Sequence, residues 1–73
     1  MEIAVIGGGS WGTAIADMLA RQGHGVRIWA REPEVVDSIR LEHLNSLFLP
    51  DSPLSPDLRA CFEIKEAVAG AEL

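Results

Sequence analysis

The chain has 73 residues, of which 48% are hydrophobic and 23% are charged, so its composition is that of one small globular domain. The net charge of −5 argues against nucleic acid as a partner, because a phosphate backbone calls for a basic surface. No apolar run approaches the roughly 20 residues that a membrane-spanning helix needs, and we expect no secretory signal. The single cysteine, Cys61, suits a reducing compartment, so we expect a cytoplasmic protein.

The first part of the chain predicts a strand, a helix and a second strand. Residues 2–7 form a short apolar run that ends in glycine, which is typical of a buried parallel strand. Gly23 is suited to end the helix predicted for residues 10–22, and residues 26–30 predict the second strand. The apolar residues of the helix recur at helical spacing and predict one stripe that faces a sheet: Trp11, Ala14, Ile15, Met18 and Leu19.

The middle of the chain predicts a second helix and a long loop. Pro33 fits the first turn of a helix that runs to about Leu44. Residues 45–57 then carry a proline at every third position, at Pro50, Pro53 and Pro56. This spacing favours an extended loop that runs over the surface.

The last part of the chain predicts a third strand over residues 59–64 and a short helix over residues 65–69, which Gly70 ends. Cys61 is expected to be a small buried residue of that strand. Strands that alternate with helices predict the α/β class, with a parallel sheet and right-handed crossovers.

A glycine-rich motif connects the first predicted strand to the first predicted helix. Residues 7–12 match G-x-G-x-x-G, which in this context is typical of a Rossmann-type dinucleotide-binding unit. Gly7 permits the tight turn out of the strand, Gly9 lets a pyrophosphate approach the backbone, and Gly12 lets the helix pack closely on the strand. The free N–H groups at the helix start are then expected to face the phosphates.

The end of the second strand is where such a unit distinguishes NAD from NADP. An acidic residue there binds the adenosine ribose 2′-hydroxyl of NAD, whereas a nearby arginine accommodates the 2′-phosphate of NADP. Here the usual acidic position is Ala30, followed by Arg31, and Glu32 comes one residue further on. We therefore expect Arg31 to bind the 2′-phosphate and NADP to be favoured, with NAD also open. A solvated surface charge is the alternative for Arg31.

The residues around the glycines carry a more specific signal. Ser-Trp-Gly-Thr-Ala at residues 10–14 resembles the NAD(P)-dependent glycerol-3-phosphate dehydrogenases, especially the bacterial type. Three further segments are similar to that family: Gly-His-Gly-Val at 23–26, Ile-Trp-Ala-Arg at 28–31, and the H-x-N and F-L-P elements within 43–50. The resemblance covers essentially the whole chain.

The resemblance implies that residues 1–73 are the N-terminal part of the NAD(P)-binding domain of an oxidoreductase. Members of the family interconvert dihydroxyacetone phosphate and sn-glycerol 3-phosphate in phospholipid precursor synthesis. By resemblance, Ser10, Trp11 and Arg31 line the cofactor site, and the catalytic and substrate-binding residues lie beyond residue 73.

We expect no metal site, because His43 lacks partners at metal-ligand spacing. We expect the full-length protein to be a homodimer.

The predicted sheet is an incomplete N-terminal βαβαβ half. A Rossmann half orders its strands 3-2-1-4, and this chain supplies the first three strands, so the first strand is expected at an open edge.

Two other functions remain open: another Rossmann dehydrogenase, of the hydroxyacyl-CoA or ketopantoate type, and a non-catalytic nucleotide-binding module. Residues 10–13 and the segment 45–50 argue against the first of these.

Overall fold

A computed structural model describes residues 1–69 as three parallel strands with three flanking helices. In chain order these are β1 (Glu2–Ile6), α1 (Ser10–Arg21), β2 (Gly25–Trp29), α2 (Pro33–Glu42), β3 (Arg59–Cys61) and α3 (Ile64–Val68). The strand order is β1-β2-β3, so β1 lies at one edge of the described sheet, as predicted. The predicted α/β class with a parallel sheet is confirmed. None of the helices within residues 1–69 is long and apolar enough to cross a membrane.

Glycine ends α1 as the sequence predicts, and β3 is shorter than predicted. Gly23 has a φ of +95°, and its N–H donates to the Ala20 carbonyl. The strand predicted for 59–64 ends at Cys61, which is buried as expected. Glu63 caps α3, and its carbonyl accepts hydrogen bonds from the N–H groups of Glu66 and Ala67. The predicted end of this helix at Gly70 lies outside the described residues.

The hydrophobic core lies between the sheet and its helices. Its largest fully buried apolar side chains come from β2 and α2: Val26, Ile28, Val35, Val36 and Ile39. The buried residues of α1 are all small, namely Thr13, Ala16 and Ala20. The core is therefore built from branched side chains on β2 and α2, and the small residues of α1 pack closely on the strands.

The face of α1 that packs on the sheet is not the stripe predicted from the sequence. In that stripe Trp11 is 82% exposed, Met18 50% and Ile15 43%, and Ala14 is exposed as well. Leu19 alone of the five packs against the core. The prediction was wrong because α1 approaches the sheet too closely for large side chains, so small residues face the strands.

The loop between α2 and β3 packs into the core more than predicted. Pro50, Pro53 and Pro56 are exposed, as the proline spacing predicts. The intervening Leu54 and Leu58, however, are only 4% and 3% exposed and belong to the core. The loop therefore covers the sheet and α1 instead of only running over the surface.

We predict that the polypeptide of residues 1–73 self-associates, because β1 and α1 expose apolar side chains. Ile6 of β1 is 50% exposed, and Ile15 and Met18 of α1 are 43% and 50% exposed. An open strand edge and exposed apolar side chains both promote association with other chains. Light scattering should show a mass that rises with concentration, and the double variant Ile15→Lys, Met18→Lys should reduce that rise. A concentration-independent monomer would contradict the prediction.

Candidate functional site

The glycine-rich motif forms the turn between β1 and α1, at the carboxyl edge of the parallel sheet. Gly7 has a φ of +127°, which side chains of L-residues rarely adopt. Its N–H donates to the Trp29 carbonyl at 2.8 Å, and this bond extends the pairing of Ile6 with Trp29 by one step. The loop is thereby held beside the end of β2, and Gly7 makes the tight turn predicted for it.

The other three glycines of the motif have two different surroundings. A Cβ on Gly12 would overlap the Gly7 carbonyl oxygen, which confirms the close helix packing predicted for this position. A Cβ on Gly8 would lie 2.5 Å from the Cβ of Ala30, a requirement that the motif does not reveal because it leaves position 8 open. Nothing lies within 4 Å of a Cβ built on Gly9. Gly9 therefore presents its backbone to open space.

The first turn of α1 has no cap from the protein. Gly9 is the N-cap residue and has no side chain to accept a hydrogen bond, and the first turn contains no acidic residue. The first N–H groups of a helix have no intrahelical partner, and no residue in the described part of the chain accepts a bond from those of Gly9, Ser10 or Trp11. Ser10 and Trp11 are both exposed. Their N–H groups and the helix dipole can hold an anion.

Arg31 lies at the same edge of the sheet as the glycine loop. Ala30, which separates it from β2, is 3% exposed and packs against Gly8. Arg31 is exposed and makes no hydrogen bond or ion pair with any of residues 1–69. Glu32 is the N-cap residue of α2, where its carbonyl accepts from the N–H groups of Val35 and Val36. The structure thus places the sequence-predicted residues at the carboxyl edge of the sheet, after the neighbouring strands β1 and β2: Gly7, Gly9, Ser10, Trp11, Gly12 and Arg31.

A buried polar cluster supports the glycine loop from the interior. Asn45 and Thr13 are both 0% exposed. The Asn45 Nδ2 donates to the Gly8 carbonyl at 2.7 Å and to the Thr13 Oγ1 at 2.8 Å, and that hydroxyl donates to the same carbonyl at 3.3 Å. Sequence reasoning gave these two residues no role. The H-x-N element pointed to Asn45 solely as part of a resemblance.

A known protein family matches almost the whole chain, including the glycine loop and α1. Residues 2–73 match the family model described as the NAD-dependent glycerol-3-phosphate dehydrogenase N-terminus. The chain belongs to this family. The family resemblance predicted from the residues around the glycines is therefore confirmed.

Similar proteins carry the name glycerol-3-phosphate dehydrogenase (NAD(P)+). The one from Rhodospirillum rubrum is 53% identical over 71 residues, which are 97% of this chain and 20% of that protein. The one from Erythrobacter litoralis is 50% identical over 68 residues, which are 93% of this chain and 21% of that protein. The chain thus spans about a fifth of the length of these relatives.

Two solved structures of glycerol-3-phosphate dehydrogenases share this fold. The crystal structure from Coxiella burnetii has a TM-score of 0.85 and 42% identity, covering 94% of this chain and 21% of that one. The structure from Plasmodium falciparum has a TM-score of 0.86 and 28% identity, covering 99% of this chain and 23% of that one. These likenesses confirm the Rossmann-type fold. With the family match, they favour glycerol-3-phosphate dehydrogenases over the hydroxyacyl-CoA and ketopantoate types.

Proposed function

We propose that this chain is the dinucleotide-binding segment of a glycerol-3-phosphate dehydrogenase and that its glycine loop holds the pyrophosphate of NADP or NAD. The observation that carries the proposal is the uncapped start of α1, next to a glycine that faces open space. A pyrophosphate placed there meets N–H groups that lack acceptors, at the positive end of the helix dipole. The residues present therefore fit the cofactor.

Each residue of the proposed site has a physical task. The N–H groups of Gly9, Ser10 and Trp11 donate to phosphate oxygens, while Gly7 and Gly12 shape the loop that presents them. The exposed Trp11 side chain flanks the dinucleotide. When bound, the nicotinamide supplies or accepts a hydride, and the residues of this chain bind and orient the molecule that carries it.

Arg31 is the residue we propose for cofactor selectivity. It is exposed, lacks a partner among residues 1–69 and follows β2 at the edge where the glycine loop lies. Guanidinium groups bind phosphate through paired, charge-assisted hydrogen bonds. We therefore propose that Arg31 binds the 2′-phosphate and that NADP is favoured over NAD.

The activity of the whole protein follows from the same proposal. The full-length protein would interconvert dihydroxyacetone phosphate and sn-glycerol 3-phosphate, with its catalytic and substrate-binding residues outside residues 1–73. The names of the relatives support this assignment. We also propose a cytoplasmic homodimer, a location with which the free thiol of Cys61 is compatible.

Replacing Gly9 with alanine tests the proposed function. Gly9 has a φ of −70° and a ψ of 177°, and an added Cβ meets nothing within 4 Å, so the variant should fold as well as the parent. The methyl group would stand where the pyrophosphate approaches. Affinity for NADPH should fall by about tenfold or more, roughly 1.4 kcal/mol, in calorimetric titration of the full-length protein.

Gln22→Ala is the matched control for this experiment. Gln22 is exposed at the opposite end of α1, so its variant should bind NADPH like the parent. If Gly9→Ala binds NADPH with the parent's affinity, the pyrophosphate does not lie at this loop and the assignment is wrong.

A further inference from the structure

The Gly8 carbonyl accepts hydrogen bonds from Thr13 of α1 and from Asn45. Asn45 lies in the loop after α2, 37 residues from Gly8 in sequence. The Asn45 Oδ1 accepts a hydrogen bond from the Phe48 N–H at 3.1 Å, which leaves the Nδ2 end facing the glycine loop. Both ends of this buried amide are therefore used, and its orientation is fixed.

The direction of the Gly8 carbonyl determines the direction of the next N–H group. All peptide bonds in residues 1–69 are trans, so the Gly8 carbonyl and the Gly9 N–H point in opposite directions across one plane. Since the carbonyl points inward to Asn45 and Thr13, the Gly9 N–H points outward. A Cβ built on Gly9 also meets nothing within 4 Å, so the backbone is open to a ligand at this residue.

Two successive glycines would otherwise leave this peptide plane poorly determined, because glycine populates many backbone conformations. We propose that Asn45, together with Thr13, is a positioning residue that fixes the Gly8–Gly9 peptide so that its N–H faces the cofactor pyrophosphate. The inference rests on the proposed function. It adds a link between the loop after α2 and phosphate binding that the glycine motif does not contain.

The buried location favours positioning over simple space filling. A buried amide and a buried hydroxyl must both be hydrogen-bonded to avoid a desolvation cost, whereas apolar groups of the same shape carry no such requirement. In this cluster every hydrogen bond of the Asn45 Nδ2 and the Thr13 hydroxyl involves either the Gly8 carbonyl or each other. The cluster is thus directed at a single backbone group of the cofactor loop.

Binding of two probes to variants of the full-length protein tests this role. NADPH carries the pyrophosphate, whereas adenosine 2′-monophosphate lacks it. Asn45→Ala should weaken NADPH binding by about tenfold, because the Gly8 carbonyl then keeps only the longer hydrogen bond from Thr13 and the peptide is less firmly fixed. Binding of adenosine 2′-monophosphate should stay within about twofold of the parent's. The KM for the three-carbon substrate should not change.

Position 13 provides a conservative pair. Thr13→Val removes the hydroxyl at nearly constant volume and should weaken NADPH binding by about threefold, while Thr13→Ser keeps the hydroxyl and should restore the parent's affinity. This pair decides the question if Asn45→Ala fails to fold. Equal affinities of the valine and serine variants would overturn the proposal in that case.

Ser38→Ala is the matched control. The Ser38 hydroxyl donates to the Val35 carbonyl and accepts from the Ser46 N–H, so it steadies the start of the same loop without contacting Gly8. NADPH binding by this variant should equal the parent's. A loss of the same size, or a parallel loss for both probes in Asn45→Ala, would overturn positioning. A parent protein that does not bind NADPH would instead overturn the proposed function itself.

Discussion

Replacing Gly12 with alanine is expected to lower the free energy of unfolding by about 1–3 kcal/mol, the usual cost of overpacking. The added Cβ would overlap the carbonyl oxygen of Gly7, which is backbone and cannot rotate away. Gly7 is itself tied to Trp29 by a 2.8 Å hydrogen bond, so relief of the overlap must disturb the junction between β1 and β2. Alanine is favoured over glycine in helices by up to about 1 kcal/mol, so a net loss must come from the overlap.

Gly9→Ala is the matched comparison for Gly12→Ala in this denaturation experiment. The two positions lie three residues apart, and an added methyl group at Gly9 meets nothing within 4 Å. Urea unfolding of the full-length protein should therefore separate them, with Gly9→Ala close to the parent. Equal unfolding free energies for the two variants would mean that α1 can move away from the Gly7 carbonyl at little cost.

Replacing Arg31 with alanine is expected to weaken NADPH binding by about 10- to 100-fold, while NADH binding changes little. The difference corresponds to a charge-assisted hydrogen bond of about 1.5–3 kcal/mol to the 2′-phosphate, which NADH lacks. Arg31 is exposed and has no partner in residues 1–69, so its removal should not affect the fold. Titrations of both cofactors into both proteins provide the measurement.

Arg59→Ala separates a specific contact from a change in overall charge. Arg59 is also an exposed arginine, but it lies on β3, the strand farthest from β1 and its glycine loop, where it pairs with Arg27 in the middle of β2. Its loss should leave both cofactor affinities unchanged. Equal losses of NADPH and NADH affinity in Arg31→Ala would assign Arg31 to structure, and no loss of either would leave it a solvated charge.

The order of elements could be predicted from the sequence because local signals agree with the fold. The apolar run before Gly7, the glycine at position 23 and the proline at position 33 each mark a boundary that the structure contains. The packing face of α1 could not be predicted in the same way. Periodicity identifies a helix with an apolar face, but here the distance to the sheet selects small residues over large ones.

The candidate site was predictable where its residues are neighbours in sequence. The spacing of the motif predicts a tight turn at Gly7, open space for a ligand at Gly9 and close packing of α1 on β1 at Gly12. The contact between Asn45 and Gly8 joins positions 37 residues apart, and no spacing rule encodes it. Gly8 was also missed, because its requirement comes from Ala30, which follows β2 and is distant in sequence.

The missing cap of α1 makes the stability of the fold depend on its ligand. A side-chain cap typically stabilises a helix by about 1 kcal/mol, and α1 has none. In the proposed complex the pyrophosphate accepts hydrogen bonds from the free N–H groups of α1. The dinucleotide therefore stabilises the helix as well as taking part in the reaction. By mass action, a ligand at a hundred times its Kd raises the free energy of unfolding by about 2.7 kcal/mol. Depletion of the cellular dinucleotide pool would therefore shorten the lifetime of the protein against heat and proteolysis before its turnover became limiting.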